Sequence, residues 1–225
     1  MKLHWSPRSP FVRKVMIVLH ETGQLDEVTL VRSVVAAHLP PNPAVLADNP
    51  LGKIPTLLTG DGRALFDSRV ICEHLDLRAG GALLPASGPA RDAQLRWQAL
   101  ADGLTEILLT WRTEMLRPGG PWPSLTGGWA VKVRAAMACL EAEADTLGRT
   151  PFGLGQIAVV CALGQLDFRW ADAEWRGHFP RLAALAADWA ARPSVAATAV
   201  VNDADEGPEP AAGQLRFDAP PAQRP

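Results

Sequence analysis

The 225-residue sequence predicts an α/β unit followed by an all-α unit. Three observations carry this. Strand and helix patterns alternate through the first third, Pro, Gly and Ser concentrate at 84–89, and the long apolar patterns after that point have helical period. The chain therefore divides into residues 1–83, a linker at 84–89, a helical unit at 90–200 and a tail at 201–225. The tail is rich in Pro, Ala, Asp and Glu and is expected to be mobile.

Taken in order, Lys2–Trp5 reads as a short strand. Pro10 suits the first position of a helix, where its missing N–H does no harm. Val12, Val15, Met16 and Leu19 then form an apolar stripe, and Gly23 closes the helix. A β-branched strand at 28–31 and an irregular, Pro-rich passage at 39–50 follow. Thr56–Leu58 and Ala64–Phe66 flank Gly60-Asp61-Gly62, a hairpin signal. Ser68 is expected to cap a helix whose inward positions are Ile71, His74, Leu75 and the stem of Arg78. In the second unit, helices are expected at 90–116, 129–147, 154–168 and 181–191, the second closed by Gly148 and the last by Pro193. The third is apolar all round, the pattern of a helix at the centre of a bundle. Two units of this kind place a small-molecule cleft where they meet.

Composition narrows the function. Twenty-two basic and 24 acidic residues leave a net charge of −2, without the basic excess of a nucleic-acid binder. The apolar stretch at 157–163 falls well short of the ~20 residues that cross a bilayer. Arg13 and Lys14 interrupt the N-terminal apolar run, so it does not read as a signal peptide. Cys72, Cys139 and Cys161 are isolated and odd in number; they read as small buried hydrophobes, with no disulfide framework and no metal cluster. A reducing cytoplasm is the simplest location. The chain has no Tyr, so no phenol can serve as acid, base or thiol activator.

Ser9 stands where a strand gives way to the helix that opens at Pro10. A helix N-terminus carries about half a positive charge and unpaired N–H groups, and it lowers the pKa of a thiol placed there. Ser9 reads as an N-cap and also as a hydrogen-bond donor to a bound thiolate, and both roles can hold at once.

Three motifs in order, Ser9-Pro10-Phe11-x-Arg13, Asn49-Pro50-Leu51-Gly52-Lys53-Ile54-Pro55 and Asp67-Ser68-Arg69-x-Ile71, resemble the thioredoxin-like N-terminal domain of glutathione transferases, in particular bacterial members that use Ser or Cys in place of Tyr. The helical second half also fits, so the resemblance extends to about residue 200. It implies a thioredoxin-like domain followed by a helical-bundle domain, a homodimer, glutathione as co-substrate, and no metal. Ser9 would be the catalytic residue beside the thiol, with Phe11 in the same turn among the glutathione-binding residues. A cis Ile54–Pro55 bond would present the Ile54 backbone to the cysteinyl part of glutathione, as a strand edge would. Ser68 and the following helix N-terminus would take the γ-glutamyl carboxylate, Asp67 the α-ammonium and Lys53 the glycyl carboxylate. On the residues alone, Asp67-Ser68 is equally a capping pair and Lys53 a solvated charge. His38 lies near a position where some relatives hold a glycyl-contacting His, but its Pro-rich spacing differs.

Leu104, Leu108, Trp111, Arg112 and Met115 share one face of the first long helix. Bundle core is the plain reading of most of them. The resemblance assigns Leu108, Trp111, Arg112 and Met115 to the electrophile pocket, with the 118–128 loop between Trp122 and Trp129 as its cover. Two departures matter. Glutaredoxins carry Cys-Pro-aromatic-Cys at the first turn, where this chain has Ser9 and Val12, so dithiol exchange there is excluded. The buried helix of the family starts on a Ser/Thr-x-x-Asp capping box; here Gly153-Leu154-Gly155-Gln156 lacks the hydroxyl. The reading is therefore a glutathione transferase that activates the glutathione thiol for attack on a small electrophile, or alternatively a non-catalytic binding or scaffold protein on the same fold.

Overall fold

The structure, a computed structural model, describes residues 1–204 and 209–218. A four-stranded sheet in the order β2-β1-β3-β4 forms the first unit, from β1 (Lys2–Trp5), β2 (Thr29–Arg32), β3 (Thr56–Leu58) and β4 (Ala64–Phe66). Central β1 places Leu3 opposite Leu30 of parallel β2 and opposite Leu57 of antiparallel β3. Parallel strands need a crossover, supplied by α1 (Pro10–Glu21), while β3 and β4 form the expected hairpin. The helix α3 (Ser68–Arg78) packs beside α1, completing a thioredoxin-like layer.

The Pro-rich passage is more ordered than its composition suggests. Asn42 Oδ1 accepts from the Ala44 and Val45 N–H groups at 3.0 and 3.4 Å, and Pro43 takes the first position of a short helix, α2 (Pro43–Asp48). Asp48 ties this helix to β1, accepting from Lys2 Nζ at 2.9 Å and lying 2.8 Å from His4 Nε2. A further correction concerns the cap of α3. It is Asp67, whose Oδ1 accepts from the Arg69 N–H at 2.9 Å, and Ser68 is the first helical residue.

The second unit contains α4 (Gly88–Glu114), α5 (Pro123–Ala142), α6 (Ala144–Arg149), α7 (Leu154–Arg169), α8 (Trp175–His178), α9 (Pro180–Ala190) and α10 (Pro193–Ala197). The helix expected at 129–147 begins earlier, because Pro123 suits a first turn, and it breaks at Glu143. Glu143 instead accepts from Trp97 Nε1 at 2.6 Å and from the Arg96 guanidinium, which clamps α4 to this corner. As its composition implies, α7 is buried on nearly all sides, against α4 on one flank and α1 on the other.

Residues 209–218 correct the expectation of a loose tail. Ala211 and Leu215 are buried, and the Phe217 ring meets Phe179 edge-on at 5.0 Å. The parts of that expected tail at 205–208 and 219–225 lie outside the described residues.

The missing hydroxyl at the start of α7 has a steric cause. A Cβ on Gly153 would sit 2.3 Å from the Leu83 carbonyl oxygen, and one on Gly155 2.8 Å from Gln94 Oε1. The caps come from elsewhere: Gln156 Oε1 accepts from the Gly153 N–H at 3.1 Å, and Gln94 of α4 accepts from the Gly155 N–H at 2.7 Å. Restoring the hydroxyl by Gly153→Ser is therefore expected to destabilise the protein by ~1–3 kcal/mol, the usual cost of overpacking, rather than stabilise it as a cap does elsewhere. Thermal melting checks this; a raised melting temperature would refute the steric account.

Candidate functional site

The first two motifs are held by local chemistry. Ser9 is the N-cap of α1, its Oγ accepting from the Val12 N–H at 3.2 Å. That bond uses an oxygen lone pair and leaves the hydroxyl proton to be donated elsewhere. In the second motif, buried Asn49 organises the loop. Its amide donates to the Lys53 carbonyl and to Thr56 Oγ1, both at 3.0 Å, and its Oδ1 accepts from the Leu51 N–H at 3.0 Å. Gly52 turns the chain at φ 62°, in the left-handed region that glycine enters without steric cost. The Ile54–Pro55 bond that follows is cis. Pairing of β3 starts at Thr56, so Ile54 stands ahead of the ladder.

The third motif holds an unusual backbone. Asp67 lies at φ 65°, strained for a residue with a side chain, and hands the chain into the N-terminus of α3. Such outliers persist where surrounding structure enforces them, and here the segment faces a cavity of about 140 Å³. Phe11, Lys53, Ile54, Pro55, Asp67 and Ser68 all line that cavity, so the structure brings six of the residues predicted from the motifs to one place. Ser9 lies two residues before Phe11, outside the wall itself. His38 is exposed in a turn and is not in the wall.

Sequence reasoning missed several wall residues: Asn49, Leu51, Phe66, Arg69, Asp102 and Glu106. The last two carried a readable signal, an acidic pair four apart on one helix face. Asp102 is the centre of a buried ion cluster. Lys14, fully buried on α1, donates from Nζ to both Asp102 carboxylate oxygens at 2.9 and 2.8 Å. Arg69 Nε, on α3, donates to Asp102 Oδ2 at 2.8 Å. This hydrogen bond raises the Arg69 pKa above its ordinary value, more than burial lowers it. The cluster fixes α1 and α3 against α4, which forms one side of the cavity.

The electrophile-pocket assignment needs correction. Leu108 and Trp111 are enclosed in the core, with the Trp111 ring 4.7 Å from Trp170 and 6.3 Å from Trp129, so neither offers surface to a ligand. Arg112 is paired with Glu209 of the C-terminal segment, its Nε 2.9 Å from Oε1. Met115, partly exposed, ends α4. The 118–128 stretch is a loop only as far as Trp122, since α5 starts at Pro123. A wider depression of about 720 Å³ beside α8 is lined by Asp167, Trp175, Arg176 and His178, but its Arg176 and Asp167 pair with each other.

All three cysteines are unpaired. Burial pushes the Cys72 thiol up to about 12 and the Cys161 thiol up to about 11. No group of His, Cys, Asp and Glu among the described residues is arranged to hold a metal, and none of the described helices is long and apolar enough to cross a membrane.

Comparison with known proteins identifies relatives of this fold. Residues 8–78 match the family model for the glutathione S-transferase N-terminal domain. An uncharacterized GST-like protein of Escherichia coli K12, YibF, is 34% identical over 205 residues, covering 88% of this chain and 98% of its own. A glutathione transferase family member from Pseudomonas fluorescens Pf-5, solved with bound glutathione, is 43% identical with a TM-score of 0.85, covering 89% of this chain and 99% of that one. A structure from the same organism holding S-(propanoic acid)-glutathione is 42% identical with a TM-score of 0.81, covering 90% and 100% of the two chains. The chain belongs to the glutathione transferase family.

Two outcomes are expected. Asp102→Asn leaves the buried Lys14 ammonium without its counter-charge and should cost ~3–5 kcal/mol in urea unfolding, with part of it regained by adding Lys14→Met; an unchanged urea midpoint would show that the cluster does not hold the helices together. In the native protein at pH 8, a thiol reagent should label Cys139 far faster than Cys72 or Cys161, because thiols titrating near 11 and 12 hold almost no thiolate at that pH. Equal labelling of all three would contradict the burial described above.

Proposed function

We propose that the protein binds glutathione in the cavity beside the cis Ile54–Pro55 bond and activates its thiol for attack on a small electrophile. One observation carries the reading. Phe11, the cis-proline edge and the Asp67–Ser68 turn converge on one cavity at the start of α3, with the N-terminus of α1 beside it. The family relationship supports it, as does the glutathione held by the relative from Pseudomonas fluorescens.

In this reading the cysteinyl backbone pairs with Ile54, as an added strand would. Ser68 and the N–H groups of the first turn of α3 take the γ-glutamyl carboxylate, since a helix N-terminus favours an anion. Asp67 has the charge for the α-ammonium, and Lys53 for the glycyl carboxylate. The thiol lies at the N-terminus of α1. Ser9 donates its hydroxyl proton to the sulfur while its lone pair keeps the Val12 N–H bond, and the helix end adds partial positive charge. Both favour thiolate over a free thiol of pKa ~8.5. Holding the thiolate and the electrophile together then removes much of the entropic cost of their encounter.

We further propose a homodimer. Val70 and Leu77, seven residues apart on one face of α3, are half or more exposed, as is Leu51 in the loop before the cis bond. A second copy would cover them. A reducing compartment such as the cytoplasm suits three unpaired cysteines.

Titration calorimetry with glutathione should show binding that raises the ultraviolet absorbance of the thiolate. With 1-chloro-2,4-dinitrobenzene as electrophile, Ser9→Ala should lower kcat/KM more than tenfold while glutathione affinity changes little. Absence of glutathione binding would sink the proposal. Binding without turnover across several electrophile classes would instead favour a binding protein on this fold.

A further inference from the structure

Two sides of the cavity beside the cis Ile54–Pro55 bond differ in what they leave for a ligand. On the α3 side, Ser68 lines the wall and is only 4% exposed, yet its hydroxyl has no hydrogen-bond partner among the described residues. A buried hydroxyl of this kind costs free energy that a bound acceptor restores. Asp67 gives Oδ1 to the Arg69 N–H at 2.9 Å, and its Oδ2 makes no hydrogen bond among the described residues. Glu106, one turn after Asp102 on α4, stands exposed in the same wall and likewise makes no hydrogen bond or ion pair among them. Asp102 itself is saturated by Lys14 and Arg69. This side therefore holds a buried hydroxyl donor, two carboxylates with open oxygens and the N-terminus of the 11-residue helix α3. That set suits the carboxylate and ammonium of an amino-acid head.

The Asn49–Lys53 side offers much less. Asn49 Oδ1 already accepts from the Leu51 N–H at 3.0 Å, and the Gly52 N–H donates to the Asn49 carbonyl at 2.8 Å. Neither amide is left for a ligand carboxylate. Leu51 is apolar and 65% exposed. Lys53 is exposed and makes no ion pair among the described residues. A ligand carboxylate meeting Lys53 would form an exposed pair, worth about fivefold in affinity at most.

We propose that the site selects its thiol by the γ-glutamyl head and the cysteinyl backbone and leaves the third residue unread, so that γ-glutamylcysteine serves it nearly as well as glutathione. The inference rests on the glutathione reading above and extends it to a class, γ-glutamylcysteinyl thiols with any C-terminal residue or none. In γ-glutamylcysteine, the cysteinyl carboxylate stands where glutathione has its last peptide carbonyl. It accepts from the Ile54 N–H in the same place, with the added strength of a charged acceptor. The head and the sulfur keep their positions, and only the exposed contact with Lys53 is lost.

Calorimetry on the full-length protein compares three thiols kept reduced: glutathione, γ-glutamylcysteine and cysteinylglycine. γ-Glutamylcysteine should bind within about fivefold of glutathione. Cysteinylglycine, which lacks the head and its charged hydrogen bonds, should bind about a hundredfold more weakly or worse. Lys53→Ala should lower glutathione affinity by no more than about fivefold and erase the gap between the two γ-glutamyl thiols. Ser68→Ala should weaken both of them equally, by about tenfold. Ser68→Thr, which keeps the hydroxyl, should recover part of that loss and so separates the hydroxyl from the fold. In the unmodified protein, a γ-glutamylcysteine affinity more than fivefold below that of glutathione, or cysteinylglycine bound as tightly as glutathione, would overturn the proposal while leaving the glutathione reading intact. Failure of all three thiols to bind would instead remove the glutathione reading, and the proposal with it.

Discussion

The contact between Lys14 and Asp102 sets the geometry of the molecule. Moving an ammonium and a carboxylate out of water costs several kcal/mol each, and only good geometry with further hydrogen bonds offsets it. Here both Asp102 oxygens face Lys14, and Arg69 adds a third bond. Lys14 belongs to the first helix of the α/β layer, Arg69 to its last, and Asp102 to the first helix of the bundle. One carboxylate thereby fixes three helices at the corner where the cavity opens. Small displacements of any of them would change the distance between the Phe11 turn and the Asp67–Ser68 turn, which face each other across the cavity.

The remaining parts of the site are positioned by chemistry of short range. Asn49 makes three bonds within seven residues and aims the loop at Ile54–Pro55. Asp67 caps its own helix from a strained backbone. Behind them, α7 approaches α4 so closely that Gly153 and Gly155 admit no side chain, and Gln94 and Gln156 supply the hydrogen bonds that a hydroxyl would have made. The cavity is thus lined by locally determined turns, but its shape depends on packing between distant helices.

That division explains what could be read from the sequence. The hairpin at Gly60–Gly62, the helix opening at Pro10 and the three motifs are written in adjacent residues, so their elements and half of the cavity wall were legible. The α2 helix was hidden because a Pro-rich passage also reads as irregular, and Asn42 capping competes weakly against that composition. Lys14 looked like an interruption in an apolar stripe; its partner lies 88 residues away, and no local pattern links them. Trp111 and Leu108 illustrate the converse. Their spacing fits a pocket face and a core face equally, and burial against Trp170 and Trp129 decides for the core. The C-terminal stretch read as a solvated tail because its acidic composition says nothing of the arginines that receive it.

The position of β1 has a consequence for synthesis of the chain. It precedes the other three strands of its sheet in the chain, yet it is central, with one neighbour at Thr29–Arg32 and the other at Thr56–Leu58. The sheet therefore cannot close until the hairpin emerges, and even then Lys14 lacks its counter-ion until Asp102 has been translated and α4 has coiled. The α/β half therefore carries two cations whose shared carboxylate lies beyond the linker. A cut at the linker would part Lys14 and Arg69 from Asp102.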